Sequence, residues 1–362
     1  MSGNRKPMRF DRLIDRSEDD SLKWSRYEKD VIPMWVADMD FRSPEPIVRA
    51  VTARARTGVY GYAAPSDRLK SAIVNRLNTV YGSPNENAKQ EWICWLPGLV
   101  SGLSHSVRAF VPYDETAISY TPIYPPFLKV PGINERRLEK IPLLRADKDI
   151  HLPLCNRGKT TRMCSFGMNM TQTEETMKRD DVKLLLMCSP HNPSGRVWNR
   201  KELIDLAKMC VENDVVICCD EVWGEIVLPF ADTPFVSMLS LIDEVEGLEE
   251  RLVVLTSPSK VFNIAGLDLA YAVIPNPELR MKFKRAGADK SEIPHFGFDA
   301  CEVAYTDRSV ERWRRELVYV VFFFAHPFLI RSRYSPHTNR NTQILPRGES
   351  QLRRAISLGT IR

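Results

Sequence analysis

The chain has 362 residues, 43% hydrophobic and 27% charged, enough for two or three lobes and a large buried core. Its 25 prolines and 17 glycines are near ordinary usage, which excludes collagen-like and low-complexity classes. The net charge of +5 belongs to the C-terminus: residues 331–362 hold seven arginines against one acid, Glu349, leaving the first 330 residues at −1. The body therefore gives no electrostatic reason to bind nucleic acid, and apart from Tyr334 the tail lacks the interleaved aromatics such binding uses.

Residues 1–12 are polar and basic and carry no apolar leader, so they do not read as a secretory signal. From 90 to 275, short apolar, β-branched runs alternate with amphipathic stretches. Residues 92–96, 116–120, 183–188, 215–219 and 251–256 read as strands buried on both faces, because none alternates polar with apolar. Between the third and fourth, Asn199 with Glu202 three residues on predicts a helix cap. Leu203, Leu206, Ala207, Cys210 and Val211 then form one apolar stripe. Strands alternating with helices predict an α/β fold with a mostly parallel sheet. Neither GxGxxG nor GxxxxGK[ST] occurs, which removes the dinucleotide fingerprint and the P-loop. The apolar run 317–330 is interrupted by His326 and Pro327 and falls short of the roughly 20 residues of a membrane span. Eight cysteines without a CxxC pair or a Cys/His cluster read as reduced core residues. The chain is expected to be soluble and cytoplasmic, with no nucleic-acid or membrane partner.

Polar residues gather just after the predicted strands. The first is followed by Pro97-Gly98-Leu99-Val100, the second by Thr121-Pro122-Ile123-Tyr124, and the third by Ser189-Pro190-His191-Asn192-Pro193-Ser194-Gly195-Arg196. Asp220-Glu221 follows the fourth, and Ser257-Pro258-Ser259-Lys260 the fifth. Open α/β sheets bind ligands outside the carboxyl ends of their strands, so a Gly turn, a Tyr, an Asn, an Asp and a Lys meet on one rim. A partly deprotonated Lys can form a Schiff base with an aldehyde. An Asp facing a pyridine nitrogen keeps it protonated, and the ring becomes an electron sink. An Asn can donate to a phenolate oxygen, a Tyr can stack on a heterocycle, and a Gly turn opening a helix can hold a phosphate. Singly these are weak signals; in this order they point to pyridoxal 5′-phosphate.

These motifs resemble fold-type I pyridoxal-phosphate enzymes of the class I/II aminotransferase group, within it the MalY/PatB branch of cysteine-S-conjugate (cystathionine) β-lyases. The likeness runs from Phe10 to about Val320. Beyond the strand-end motifs it includes Trp35-Val36-Ala37-Asp38-Met39-Asp40-Phe41, Gly58-Val59-Tyr60-Gly61-Tyr62, Asp220-Glu221-Val222-Trp223 and Lys260-Val261-Phe262-Asn263-Ile264-Ala265-Gly266-Leu267. The resemblance implies that Lys260 is the Schiff-base lysine, Asp220 the partner of the pyridine nitrogen, Asn192 that of the phenolate oxygen, and Tyr124 the stacking ring. It assigns the phosphate to the N–H groups of Gly98, Leu99 and Val100 and the hydroxyls of Ser257 and Ser259. It implies a homodimer in which Tyr62 reaches the neighbouring cofactor and Asp38–Asp40 line the substrate entrance. It also implies an N-terminal segment (1–45) joining a small domain, a cofactor-binding large domain (46–285), linker helices and the start of the small domain (286–330), and an atypical tail (331–362).

The chain departs from the pattern at three places. Trp223 can donate but not accept a proton, so a relay role there is not expected. Asp268 stands where aminotransferases proper carry a phosphate-binding Arg. After Leu317 the small domain and its substrate-binding Arg are missing from the pattern, which predicts a truncated or frame-shifted end, an incomplete small domain and weakened turnover. Three readings stand: a carbon–sulfur β-lyase releasing a thiol, pyruvate and ammonia from an amino-acid substrate, an aminotransferase, and a catalytically impaired homologue.

Overall fold

The computed structural model describes residues 10, 12, 14–16, 18–28, 30–151, 160–229, 231–289 and 291–331. The expectations for 332–362, including the small domain's end, lie outside the described residues. An N-terminal segment leads into α1 (Glu45–Arg56) and α2 (Asp67–Thr79). The first half of the core follows as β1 (Ile93–Leu96), α3 (Leu99–Phe110), β2 (Thr116–Thr121), α4 (Pro125–Ile133) and β3 (Arg137–Pro142). A hairpin of β4 (Leu144–His151) and β5 (Thr160–Gly167) stands apart, followed by α5 (Met170–Met177). The second half is β6 (Val182–Cys188), α6 (Arg200–Glu212), β7 (Val216–Asp220), β8 (Leu252–Thr256) and β9 (Ala270–Val273). Helices α7 (Pro277–Ala286), α8 (His295–Thr306) and α9 (Arg308–Arg331) complete it.

The seven-stranded sheet has the order β1-β9-β8-β7-β6-β2-β3. Strands β3, β2, β6, β7 and β8 run parallel, whereas β9 is antiparallel to both β8 and β1. All five predicted strands are present, each within a residue or two of its expected ends. The two faces are filled by alternate residues of the same strand, as the pleat dictates. Leu185 and Met187 of β6 join α2, α5, α6 and α8 in one cluster. Leu184, Leu186 and Cys188 join α3, α4 and α7 in another. The result is helix, sheet, helix, with the strands covered on both sides.

The predicted cap of α6 is a complete capping box: Asn199 Oδ1 accepts the Glu202 N–H at 2.9 Å, and Glu202 accepts the Asn199 N–H at 2.8 Å. Helix α3 lies tight on the sheet at Gly102. A Cβ there would come within 2.8 Å of Leu96 and 2.9 Å of Leu255, so only glycine lets the helix approach this closely. A third cluster ties Phe10, Met39 and Phe41 to α1, α8, α9 and the 261–264 turn. Helix α9 continues through the apolar run to Arg331, and among the described residues no helix is long and apolar enough to cross a membrane. No disulfide joins the seven described cysteines, all buried except Cys164, as expected of core residues; Cys155 lies outside the described residues.

Candidate active site

Four parallel strands and β1 bring their carboxyl ends to one rim, and the five strand-end motifs meet there. Gly98 caps α3, which has no side-chain cap. By contrast Ser66, Asn169, Asn199 and Asn276 close α2, α5, α6 and α7 with their side chains. The first N–H groups of a helix lack intrahelical partners, and with the helix dipole they favour an anion. Space is available: a Cβ placed on Gly98 meets nothing within 4 Å.

After β2, Tyr124 is 41% exposed, so one part of its ring is open. Its N–H donates to the Asn192 carbonyl at 3.1 Å, which locks the loops after β2 and β6 together. The Asn192 loop is closed by its own backbone: Gly195, with φ +69° in the region that favours glycine, donates to the His191 carbonyl at 2.8 Å. Three cis peptide bonds precede Pro122, Pro190 and Pro193 in these two loops. The side-chain amide of Asn192 makes no hydrogen bond within the described residues, so both donors are available.

Asp220 ends β7 and is only 7% exposed. Its Oδ1 accepts the Val222 N–H at 3.0 Å, while Oδ2 has no hydrogen-bond partner among the described residues. Burial pushes the carboxyl up to about 6, against the Val222 N–H and the Lys260 charge that pull it down. Beyond β8, Lys260 is half-buried, its Nζ 6.0 Å from the centre of the Trp223 ring. Burial lowers the pKa of this amine, and Asp220 and Asp38 partly offset that. Burial and the Asp220 charge raise the Tyr124 phenol. Asp220, Lys260 and Tyr124 thus act on one space.

The two serines differ. Ser257 is buried, and its hydroxyl donates to the Leu269 carbonyl at 2.7 Å while accepting the Ser259 N–H at 3.0 Å. Its proton is directed into the protein, so here it shapes the lysine turn. Ser259 remains half-buried. Asp268 is exposed and closes the next turn with a left-handed φ of +47°. Tyr62 is 94% exposed and touches no part of this site within the chain.

Sequence reasoning missed how the segment 38–41 is held. Asp38 accepts from Arg16 at 2.9 Å. Asp40 accepts from the buried Lys23 at 3.0 Å and from Trp24 Nε1 at 2.9 Å. Both carboxylates expected at a substrate entrance are thus ion-paired, although Asp38 still acts on Lys260. Asn263 grips the same segment from the other side. Sequence reasoning also missed Glu221, fully buried next to Asp220 in the chain: Oε1 accepts the Met238 N–H at 2.7 Å, and burial pushes the acid up to about 8 against the Ser237, Met238 and Cys219 hydrogen bonds that pull it down. The Asp-Glu pair was visible, but nothing local marks which acid turns inward.

The residues fit pyridoxal phosphate on three independent observations. A buried carboxylate has a spare oxygen for a cationic ring N–H, an uncapped helix start opens on space for a dianion, and a half-buried amine is eased toward its neutral form. Among the described residues, no His/Cys/Asp/Glu cluster could hold a metal.

Residues 29–289 match the aminotransferase class I and II family. Cystathionine beta-lyase PatB of Bacillus subtilis is 31% identical over 321 residues, covering 86% of this chain and 76% of PatB. Among solved structures, cystalysin from Treponema denticola, which contains a pyridoxal 5′-phosphate cofactor, matches with a TM-score of 0.76. The two are 26% identical over 88% of this chain and 77% of cystalysin. The pyridoxal-phosphate-bound C-S lyase from Staphylococcus hominis matches with a TM-score of 0.75 and 25% identity, over 91% of this chain and 78% of its own.

Proposed function

Because the chain belongs to the aminotransferase class I and II family, we propose that it is a pyridoxal-phosphate-dependent carbon–sulfur β-lyase. Its substrate would be L-cystathionine or a related cysteine S-conjugate, converted to a thiol, pyruvate and ammonia. The observation that carries this reading is the buried Asp220 carboxylate, with one oxygen uncommitted among the described residues, on the same strand-end rim as the half-buried Lys260. When bound, the cofactor supplies an aldehyde for the substrate amine and a ring that draws electrons from the substrate Cα.

Each residue then has a task. Asp220 offers its unpaired oxygen to the ring nitrogen and holds that nitrogen protonated. Asn192 gives its uncommitted amide to the phenolate oxygen, and Tyr124 lays its open face on the ring. The N–H groups of Gly98, Leu99 and Val100 bind the phosphate at the start of α3, with the Ser259 hydroxyl beside them, while Ser257 holds the turn that presents Lys260. Lys260 Nζ, made easier to deprotonate by burial, takes the Cα proton and hands it to the sulfur leaving Cβ. The Cβ–S bond breaks with its electron pair on sulfur, and water then releases pyruvate and ammonia.

Exposure supports an assembly of two copies. Val59, Tyr60 and Tyr62 are 71%, 63% and 94% exposed on one stretch of chain, a strip suited to a second copy. In that homodimer Tyr62 would reach the partner's cofactor. On this reading the chain divides into a small domain of 1–45 and 286–330 beside a 46–285 cofactor domain, and the third cluster packs Phe10, Met39 and Phe41 with α8, α9, α1 and the 261–264 turn across that division. The absence of disulfides among the described cysteines suits the reducing cytoplasm.

The test is product stoichiometry. Purified protein with pyridoxal phosphate and cystathionine should release thiol, pyruvate and ammonia in equal amounts with no keto acid added. A strict requirement for a keto-acid acceptor would replace this reading with aminotransferase. Borohydride should fix the cofactor on Lys260, and an adduct mapped to another lysine would remove the assignment.

A further inference from the structure

Asn263 lies three residues after Lys260 in a turn closed by its own backbone. The Phe262 N–H donates to the Pro258 carbonyl at 3.1 Å, and the Ile264 N–H to the Ser259 carbonyl at 3.0 Å. Its φ is +57°, in the left-handed region that asparagine tolerates better than most residues. From this posture the side chain reaches across 224 residues of sequence. Oδ1 accepts the Met39 N–H at 2.9 Å, and Nδ2 donates to the carbonyls of Met39 at 3.0 Å and Phe41 at 2.8 Å. The Asn263 carbonyl also accepts from Ser43 Oγ at 2.8 Å. One amide thus serves both backbone groups of Met39, as a neighbouring strand would.

On its far side the same segment is anchored by Arg16 on Asp38 and Lys23 on Asp40. Segment 38–41 is therefore clamped between a charged bracket and the lysine's own turn. We propose that Asn263 is a positioning residue: its amide fixes segment 38–41 on the Lys260 turn and so sets where substrate meets the lysine. Asp220 from β7 and Asp38 from the segment are the acidic charges acting on the amine, with the Trp223 ring packed against it. Releasing the segment would remove one of two carboxylates that favour the protonated amine and leave the other in place. The inference rests on the lyase reading for its substrate, but not for its geometry.

The test uses N263G, which keeps the left-handed backbone and deletes only the amide. Three quantities are compared with the unaltered chain: hydrogen exchange at the Met39 amide, the pH midpoint for labelling Lys260 in cofactor-free protein, and KM against kcat for cystathionine. Met39 should exchange at least about tenfold faster. The Lys260 midpoint should fall by at least about 0.3 pH unit, since one favourable carboxylate is lost. KM should rise about fivefold or more, with kcat changed less than about threefold. A released Met39 with an unmoved midpoint and KM overturns the proposal, because the amide would then be a structural bracket only. Unchanged exchange at Met39 overturns it as well. If N263G does not fold, N263A deletes the same amide without adding a charge, and the same expectations and reversals apply. An unaltered chain that releases no thiol defeats the lyase reading alone, since exchange and labelling do not depend on turnover.

Discussion

Replacing Asp220 with Asn separates a cofactor-binding carboxylate from a structural one. In the cofactor-free protein, burial raises this acid from the ordinary 3.8 to about 6. The folded state therefore holds a proton that the unfolded chain has released, and stability falls as pH rises from about 4 through about 6. At about 1.4 kcal/mol per pH unit, keeping the buried carboxylate charged at pH 8 costs about 3 kcal/mol. Asp220→Asn deletes that cost and retains an acceptor for the Val222 N–H. Without cofactor, the variant should be more stable than the parent at pH 8, by up to about 3 kcal/mol, and equal to it near pH 4. With cofactor the order reverses. The amide cannot hold the ring nitrogen's charge, so cofactor affinity should drop and kcat should fall on the order of 10²-fold or more. Thermal unfolding at pH 4, 6 and 8, with and without pyridoxal phosphate, reads both halves. A variant less stable than the parent at pH 8 without cofactor, or one with activity within a few-fold of the parent, would refute the reasoning.

Lys260→Ala should fold normally, lose borohydride-stable cofactor and lose turnover; retention of the fixed adduct would remove the lysine from its role. Glu221, pushed up to about 8 by burial, also binds its proton more tightly in the folded state. Stability should therefore decline as pH rises from the ordinary carboxylate range to about 8, with a slope of up to about 1.4 kcal/mol per pH unit, and Glu221→Gln should flatten that decline in a pH series of melts. Arg76 pairs with the buried Glu225, its Nε 2.7 Å from Oε1, and its guanidinium lies 4.6 Å from the Tyr305 ring centre. Arg76→Ala leaves that carboxylate without its partner and should cost about 3–5 kcal/mol in denaturant unfolding. A loss below 1 kcal/mol, on the order of an exposed pair, would show that Glu225 finds another cation.

The parallel core was legible because burial on both faces leaves a simple mark. Strands β6, β7 and β8 contain almost nothing polar, so each stands out as an unbroken run, whereas β2 carries Thr116, Ser119 and Thr121 and reads as a strand through its β-branched and aromatic residues. Strand β3, Arg-Leu-Glu-Lys-Ile-Pro, sits at the sheet edge with exposed positions at Arg137, Lys140 and Pro142, and its mixed composition hides it. Strand β9 is only four residues long, and pairing antiparallel between β8 and β1 is a tertiary fact with no local sign. The site divides the same way. Gly98, Tyr124, Asn192, Asp220 and Lys260 were visible because each follows a recognisable strand, and strand ends converge. The grip of Asn263 on Met39 and the inward turn of the Ser257 hydroxyl depend on partners 224 and 12 residues away. No spacing rule foretells them.

The place of β1 in the sheet has a consequence for synthesis. This strand delivers Gly98 and the start of α3, yet among the described residues its only neighbour in the sheet is β9, whose last residue is Val273. An emerging chain therefore carries an unpaired β1 until 177 further residues have followed Leu96. At about 5–20 residues per second the wait is roughly 10–35 s. Throughout that interval the lysine has not yet joined the glycine turn in one sheet, and an apolar edge waits for its partner. A ribosome stalled before residue 273 would thus hold the strand that leads to the phosphate end of the pocket with nothing to fix it in place, and chaperone demand should be greatest there.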